Sequence, residues 1–454
     1  MKSVRADSDF FGSERIGKVL MHIAPPVMLA QLIQALYNIV DSFFVGRYSD
    51  DALTALTVIY PLQLIIIALA VGTGVGVNTY MARKFAQNKP QAANDAAGTG
   101  MVLELLSWAI FTLAAVLIMR PYVMTSASSP AAIEDAVTYG TIVSVGSLGA
   151  FLEGNWTKVH QAQGNMRLPM VAQMLGAITN IILDPILIFG LGPFPQMGVA
   201  GAAYATVCGQ VVAAVITGVR GWRRPPKLRD MLHYAGRIYY YGYSNIIMQC
   251  LYTVYILALN IILAGFSDAA VTVLGLYYKA QSFFFIPLFG LQTCIVPVLS
   301  YNYARRDFAR CRRIMRDSFL VSVLFMLAGI IAFTLCPIRM MNFFSNSAQV
   351  HAIGAVAFPI IAISFIPAVF SLMMPVFFQA IGDGRTSLLL SMTRQLFCLI
   401  PFFWLFSLIG LNYTWFAFPV SEVISSSIGL FLYLRTLKRW HLPAFAGVHL
   451  HGEH

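Results

Sequence analysis

Two carboxylates stand in otherwise apolar stretches of the chain, each close to an asparagine. Asn38 and Asp41 are three residues apart in "ALYNIVDSFFVG", and Asn180 and Asp184 are four apart in "NIILDPILIFG". Residues at these spacings share one face of a helix. An ionisable group in a lipid-embedded helix costs at least about 2.5 kcal/mol, so it normally faces the bundle interior and has a partner or a function. Two carboxylates with amide oxygens can hold one dehydrated monovalent cation, Na⁺ for example, and two neighbouring acids can instead hold a proton.

The alternative interpretation of these residues is structural, because polar side chains also join membrane helices through hydrogen bonds. Two acids with matching amides in one half of the chain favour the ion site over that alternative. Glu104, alone in "MVLELLSW", is as readily explained by structure as by function. Glu153, followed by Gly154 and Asn155, is a candidate for the wall of a substrate cavity.

A second set of side chains could bind an organic substrate. Amides and tyrosines cluster in two corresponding apolar segments, which contain Gln31, Gln34 and Tyr37, and Gln249, Tyr252 and Tyr255. Aromatic and amide surfaces suit bulky, planar, cationic compounds. With Glu153 and Lys279, these residues form the predicted substrate cavity. The second half also places the bases Lys279 and Arg394 and the acid Glu422 in apolar segments, as a salt-bridged scaffold or a gate, and the scaffold is favoured.

The elements that must position these residues are membrane-spanning helices. The chain has 454 residues, 58% of them hydrophobic and 11% charged, and its mean hydropathy is +0.72. Apolar segments of about 20 residues or more, enough to span a bilayer, recur along it. They predict twelve helices, at 17–45, 53–81, 94–118, 134–158, 168–190, 198–219, 238–264, 270–299, 318–336, 352–379, 388–410 and 414–434. The predicted fold class is an all-α polytopic membrane protein.

Positive charge is distributed unevenly about these spans. With the N-terminus inside, only Arg47, Arg120 and Arg339 of the 30 Lys and Arg residues fall in outside loops, and Lys279 and Arg394 fall within spans. All the others lie in inside segments. This asymmetry predicts a plasma (inner) membrane protein with both termini in the cytoplasm. The net charge of +11 could suggest a protein that binds nucleic acid, but the same asymmetry argues against that function. The basic loops can instead contact anionic membrane lipid.

The chain repeats itself at a shift of 218 residues. "SDDALTAL" (49–56) pairs with "SDAAVTVL" (267–274), and "QAQGNMR" (161–167) pairs with "QAIGDGR" (379–385). Each half then holds six spans in the same orientation, an arrangement typical of secondary transporters with the substrate path between the halves. The prediction is two pseudo-symmetric six-helix lobes, 1–228 and 229–454, in a monomer.

Enzymatic signatures do not occur in the sequence. It has no Walker loop, no HExxH, no GxSxG and no paired histidine ligands. The short glycine runs "GTGVGVN" and "GDGR" are better explained by close helix packing and a turn. We therefore expect a protein that is not an enzyme and needs no cofactor beyond a coupling ion.

Several segments together resemble a known transporter family. They are "YNIVDSFFVGRYSDDALTAL", "GTGVGVNTYMARKFAQ", "QAQGNMRLPM", "NIILDPILIFGLG…GVAGAAYAT" and "FQAIGDGRTSLLLSMTRQ". In order and spacing the chain is similar to the multidrug and toxic compound extrusion (MATE) family, in particular its DinF-like and staphylococcal-type bacterial branch. The resemblance implies two six-helix lobes around a V-shaped cavity and antiport of organic cations against Na⁺ or H⁺.

The resemblance also implies roles for individual residues. It places the ion site in the first lobe, at Asp41 with Tyr37 and Asn38, and at Asn180 and Asp184. It adds Thr206 to this site and Pro26 as a point of bending in the first helix.

The sequence predicts a multidrug efflux antiporter that works by alternating access. Two rival functions remain. A lipid-linked oligosaccharide flippase would need a cleft rich in Arg and Lys, and a passive channel or receptor would not need both aspartates.

Overall fold

The structure is a computed structural model that describes residues 10–124, 130–342 and 347–441. Within these ranges the chain is helical and contains no strand. The helices are α1 (Ile16–Tyr48), α2 (Asp50–Ala86), α3 (Pro90–Met124), α4 (Pro130–Gly146), α5 (Leu148–Ala162), α6 (Arg167–Phe189), α7 (Val199–Gly221), α8 (Leu228–Ala264), α9 (Asp268–Ala304), α10 (Phe308–Leu335), α11 (Pro337–Asn342), α12 (Ala348–Ala362), α13 (Phe365–Ala380), α14 (Gly384–Met392), a π-helical turn (Thr393–Leu399), α15 (Ile400–Ser407), α16 (Leu411–Thr414) and α17 (Ala417–Arg439).

The described helices supply the predicted number of membrane spans. Ten segments are long and apolar enough to cross a bilayer, and two bent pairs pass the same test together. The bend between α4 and α5 is 42°, and the bend between α12 and α13 is 57°. Counting each pair as one span gives twelve, and the all-α membrane class is confirmed.

The repeated sequence segments form matching local structures. Ser49 and Ser267 cap α2 and α9, each accepting from the backbone N–H three residues on, at 3.0 and 3.2 Å. This pattern satisfies donors that the first helical turn leaves unpaired. Gly164 and Gly382 both have positive φ, 85° and 88°, and make the turns before α6 and α14. Each repeated motif is thus a helix-start or turn signal.

The two halves of the chain, α1–α7 and α8–α17, meet at one end of the bundle. We call this the basic end; it carries the loops 87–89, 163–166, 222–227, 305–307 and 381–383. One hydrophobic cluster contains both the core of the second half and first-half residues near the basic end. Those first-half residues include buried side chains within Val19–Val27 and Val75–Phe85. A separate cluster near Ser49 contains first-half residues alone, from Val45 to Ala203. The halves are therefore joined at the basic end and apart at the opposite end.

Close packing of α2 on α8 makes this junction. A Cβ atom at Gly72 would lie 2.2 Å from Ile246 Cγ1, and one at Gly76 would lie 2.2 Å from the carbonyl oxygen of Ile238. On α8, a Cβ atom added at Gly242 would likewise lie 2.6 Å from the carbonyl oxygen of Gly72. The glycine run "GTGVGVN" thus packs two helices nearly backbone to backbone, as the sequence predicts.

Candidate functional site

A central cavity of about 720 Å³ lies between the two halves. Its walls are rich in glutamine, and most of the predicted substrate residues line it: Gln31, Gln34, Tyr37, Glu153, Gln249, Tyr252 and Tyr255. Tyr252 and Tyr255 form an edge-to-face pair with ring centroids 5.3 Å apart. This geometry offers one aromatic face and several amides to a bulky ligand.

The prediction that Lys279 belongs to this cavity does not match the structure. Lys279 is exposed and does not line the cavity, whereas Gln281 and Ser282 on the same helix do. The physical reason is helix geometry: Lys279 is two residues from Gln281, so the two side chains leave the helix about 200° apart. The long side chain is thereby placed outside the cavity wall.

The two predicted carboxylates come together beside the cavity. Asp41 on α1 and Asp184 on α6 are 7% and 0% exposed, and their carboxyl groups lie within hydrogen-bonding range of each other. One oxygen of Asp41, Oδ1, has no hydrogen-bond partner among the described residues. A buried carboxylate oxygen without a partner is costly. A bound cation or a proton would remove that cost, so the donor set fits the predicted Na⁺ or H⁺ site.

Asn180 and Thr206 complete this carboxylate cluster. The Asn180 amide is oriented with its nitrogen toward the Asp184 carboxylate. In this orientation the amide nitrogen donates to Asp184 Oδ2 at 3.1 Å, and the amide oxygen accepts from the Thr206 N–H at 3.1 Å. Tyr37 forms a side-chain hydrogen bond with Thr206. Asn38 is exposed and lines the cavity, so it stands on the substrate side of Asp41.

Tyr139 on α4 is a member of this cluster that the sequence analysis missed. It is 1% exposed, its hydroxyl accepts from Gln63 Nε2 at 3.2 Å, and it also bonds the side chain of Thr206. A single tyrosine in an apolar span resembles an interface anchor, so the sequence carried no distinct signal for it.

Pro26 lies within α1, which continues as a helix through Pro25 and Pro26 to Tyr48. A proline inside a helix removes one backbone hydrogen bond and clashes with the preceding turn. It is therefore a mechanically weak point between the basic end and Asp41. Its predicted part in bending stays a prediction.

Arg394 and Glu422 form a salt bridge inside the second half, consistent with the favoured scaffold interpretation. Arg394 Nη2 lies 2.7 Å from Glu422 Oε1, and its Nε donates to the same oxygen at 2.8 Å. The Ser371 hydroxyl donates to the other carboxylate oxygen. Arg394 lies in the π-helical turn and lines the cavity. The pair satisfies both charges without a ligand.

Two further charged residues occupy different surroundings. Glu104 is fully buried, lies outside the cavity lining, and has no partner for either carboxyl oxygen among the described residues.

Lys158 was placed with the inside cations by the sequence analysis. The structure instead buries it in α5, at the cavity wall. The reason is that α5 continues past the predicted end of its span to Ala162.

Comparison with known proteins agrees with this fold. The MatE family model matches residues 26–186 and again 245–405, one copy in each half. The multidrug export protein MepA of Staphylococcus saprophyticus is 24% identical over 430 residues, which are 91% of this chain and 93% of that protein. A protein of Shewanella oneidensis named FAD transporter is 31% identical over 209 residues, which are 45% of this chain and 46% of that protein.

Solved structures show the same architecture. A MATE family transporter of the MOP superfamily in an outward-facing conformation superimposes with a TM-score of 0.89 at 22% identity, over 96% of this chain and 99% of that one. A MOP superfamily transporter from Pyrococcus furiosus gives a TM-score of 0.88 at 22% identity with the same coverage.

The fold and the cavity define a multi-pass membrane transport protein, not an enzyme. The chain belongs to the MATE family of transporters.

Proposed function

We propose that this protein is a secondary active antiporter in the plasma membrane that exports bulky amphipathic organic compounds, organic cations among them, in exchange for H⁺ or Na⁺. The observation that carries the proposal is the buried pair of carboxylates, Asp41 and Asp184, directly beside the central cavity. Relatives named as multidrug exporters and a FAD transporter support a large organic substrate.

Ion binding at the carboxylate cluster is the coupling step. Uptake of one positive charge by Asp41 and Asp184 relieves the repulsion between them and draws the ligands on α1, α6 and α7 together. Because Asn38 and Tyr37 stand between the cluster and the cavity, a shift of α1 near Pro26 alters the substrate wall. One ion that moves down a membrane potential of 100 mV supplies about 2.3 kcal/mol. This energy can maintain a roughly fiftyfold concentration gradient of a neutral substrate.

Because the two halves pack together at the basic end and are apart at the opposite end, the cavity between them opens toward that opposite end. With the basic loops in the cytoplasm, as the positive-inside rule predicts, both termini are cytoplasmic and the structure is outward-facing. Opening of the junction between α2 and α8 would then admit substrate from the cytoplasm. Each half moves largely as one lobe, residues 1–228 against 229–454, in a monomer.

The rival functions receive less support from the cavity. A flippase for lipid-linked oligosaccharides needs several cations in the cleft, but Lys158 and Arg394 are the Lys and Arg residues that line it in the described chain, and Glu422 already pairs with Arg394. A passive channel would not need a buried acid pair.

Efflux from proteoliposomes tests the proposal. The purified protein is reconstituted into liposomes, and ethidium is placed on the cytoplasmic side of the membrane. Efflux is followed under an imposed pH gradient, with and without a Na⁺ gradient. We expect efflux by the wild type to follow one of the two gradients and to vanish in Asp41→Asn. Efflux that ignores both gradients, or that persists in the variant, would refute the antiporter.

A further inference from the structure

The deep end of the cavity contains a buried cation that the antiport mechanism does not use. Lys158 on α5 is 8% exposed and lines the cavity. It lies near Cys294 of α9, so it sits where the two halves face each other. Burying an ammonium group carries a large free-energy cost unless an anion pairs with it.

The side chain that Lys158 bonds directly in the described chain is neutral. Its ammonium group donates to Gln161 Oε1 at 3.0 Å, and the ion pairs within 4.0 Å in the described chain do not include it. Glu153 lies close enough to attract the Lys158 ammonium electrostatically. Its carboxylate nevertheless forms its hydrogen bonds elsewhere: it accepts from the Thr157 hydroxyl at 2.5 Å and bonds the side chain of Gln173. The positive charge of Lys158 therefore faces the cavity without a bound carboxylate.

The position of Lys158 is fixed by its surroundings. Asn78 Nδ2 donates to the Lys158 carbonyl oxygen at 3.0 Å and joins α2 to α5 at this point. The aliphatic stem of Lys158 rests against Gly74, where an added Cβ would lie 2.8 Å from Lys158 Cγ. A side chain at Gly74 would push the ammonium group out of place. The cation is thus held where it is by the packing of two helices.

The second half presents a matching donor. Gln379 is the counterpart of Gln161 at the 218-residue shift, lines the same cavity and is 1% exposed. Its amide nitrogen, Nε2, has no hydrogen-bond partner among the described residues. A buried donor without a partner, facing a cavity that also holds a buried cation, indicates a missing acceptor.

We propose that Lys158, Gln161 and Gln379 form a subsite for an oxyanion group, a carboxylate or a phosphate, carried by an amphipathic substrate. The proposal rests on the proposed function of the cavity as the substrate path, and it adds to the substrate class compounds that combine an aromatic body with an acidic group. The ammonium of Lys158 supplies the charge, and amide groups from both halves supply hydrogen bonds. Because the donors come from both halves, such a ligand would bind across the junction at the basic end.

Binding of a matched pair of dyes tests this subsite. The probes are a xanthene dye with a free carboxylate and the methyl ester of the same dye, titrated by fluorescence polarisation onto purified full-length protein in a non-ionic detergent. We expect the wild type to bind the acid about ten- to a hundredfold more tightly than the ester, as for a charge-assisted hydrogen bond in a buried site. Lys158→Met should abolish this preference, and Lys158→Arg should restore part of it.

Two controls separate a specific subsite from a general effect. Lys89→Met removes a cation from an exposed loop at the same end and should keep the preference for the acid. Unchanged binding of the ester to Lys158→Met shows that this variant is folded. Equal affinity of the wild type for both dyes, or a preference that survives in Lys158→Met, would overturn the proposal.

Efflux of the ester from proteoliposomes distinguishes a failure of the subsite from a failure of the proposed function. Gradient-driven ester efflux without any preference for the acid in binding would refute the subsite and leave the antiporter standing. A preference for the acid that depends on Lys158, without gradient-driven efflux, would refute the antiporter and support the subsite.

Discussion

Arg83 on α2 donates from Nη2 to the carbonyl oxygen of Ala380 on α13 at 3.1 Å, a bond between the two halves at the basic end. The same guanidinium donates to the Tyr241 hydroxyl at 3.3 Å and lies over the rings of Tyr241 and Tyr303, 4.8 and 5.1 Å from their centroids. One side chain of the first half thus contacts three helices of the second. Since Ala380 follows Gln379 directly, this contact also adjoins the deep end of the cavity.

Arg83→Gln should loosen the basic end. The variant loses the cation–π contacts and the charge-assisted bonds, so closure on this side becomes less favourable. We expect faster hydrogen–deuterium exchange in the segment 378–383 and a reduced rate of efflux. Lys84→Gln is the control, because in the described chain the Lys84 ammonium bonds Gln87 of its own half at 3.4 Å and rests on the ring of Tyr80. Equal exchange in the two variants would show that Arg83 does not hold the halves together.

Gly76→Ala should prevent the same closure by steric exclusion. Its Cβ would lie 2.2 Å from the backbone oxygen of Ile238, a clash that backbone atoms cannot avoid without separating α2 from α8. We expect at least a tenfold loss of efflux, measured in proteoliposomes. Gly275→Ala on α9 is the matched control, since an added Cβ there meets nothing within 4 Å. Normal efflux by Gly76→Ala would mean that transport does not need this helix contact.

The buried pair Arg394 and Glu422 should be strongly coupled. Replacing Glu422 by Gln leaves a buried guanidinium without its counter-charge, and removing one partner of such a pair costs about 3–5 kcal/mol. We expect Glu422→Gln and Arg394→Met each to lower the thermal unfolding midpoint sharply, and the double variant to lower it by much less than their sum. Additive effects in this cycle would contradict a scaffold role for the ion pair.

The sequence predicted the fold because the fold follows from local signals. Long apolar runs fix the spans, and the repeated Ser49 and Ser267 motifs mark the starts of helices that the structure caps. The carboxylate cluster was partly predictable, since helical spacing places Asn180 and Asp184 on one face. Tyr139 was not, because it reaches Thr206 through tertiary packing of α4, which no spacing encodes. Lys158 and Lys279 were misplaced for a related reason: membership in a cavity wall depends on where a helix ends and how it is rotated.

The two aspartates should act as one ion-binding unit. Since the carboxyl groups of Asp41 and Asp184 lie within hydrogen-bonding range of each other and both lie near Tyr37, neutralising either one removes the charge that holds the ion. We expect Asp41→Asn, Asp184→Asn and the double variant to lose ion coupling to the same extent, as residues in one network do not add.

Ion release from purified protein measures this coupling directly. Addition of substrate to wild-type protein in a weakly buffered solution should release protons, seen with a pH-sensitive dye, or should lower the affinity for Na⁺, seen by calorimetry. Each aspartate variant should show neither effect. Glu104→Gln is the matched control: it removes another fully buried acid, on α3 and outside the cavity lining, and should leave ion release unchanged. Because the Glu104 carboxyl oxygens have no partner in the described chain, this control should also unfold at the wild-type temperature or above it. Loss of ion release in Glu104→Gln, with full release in Asp184→Asn, would move the coupling site away from the carboxylate cluster.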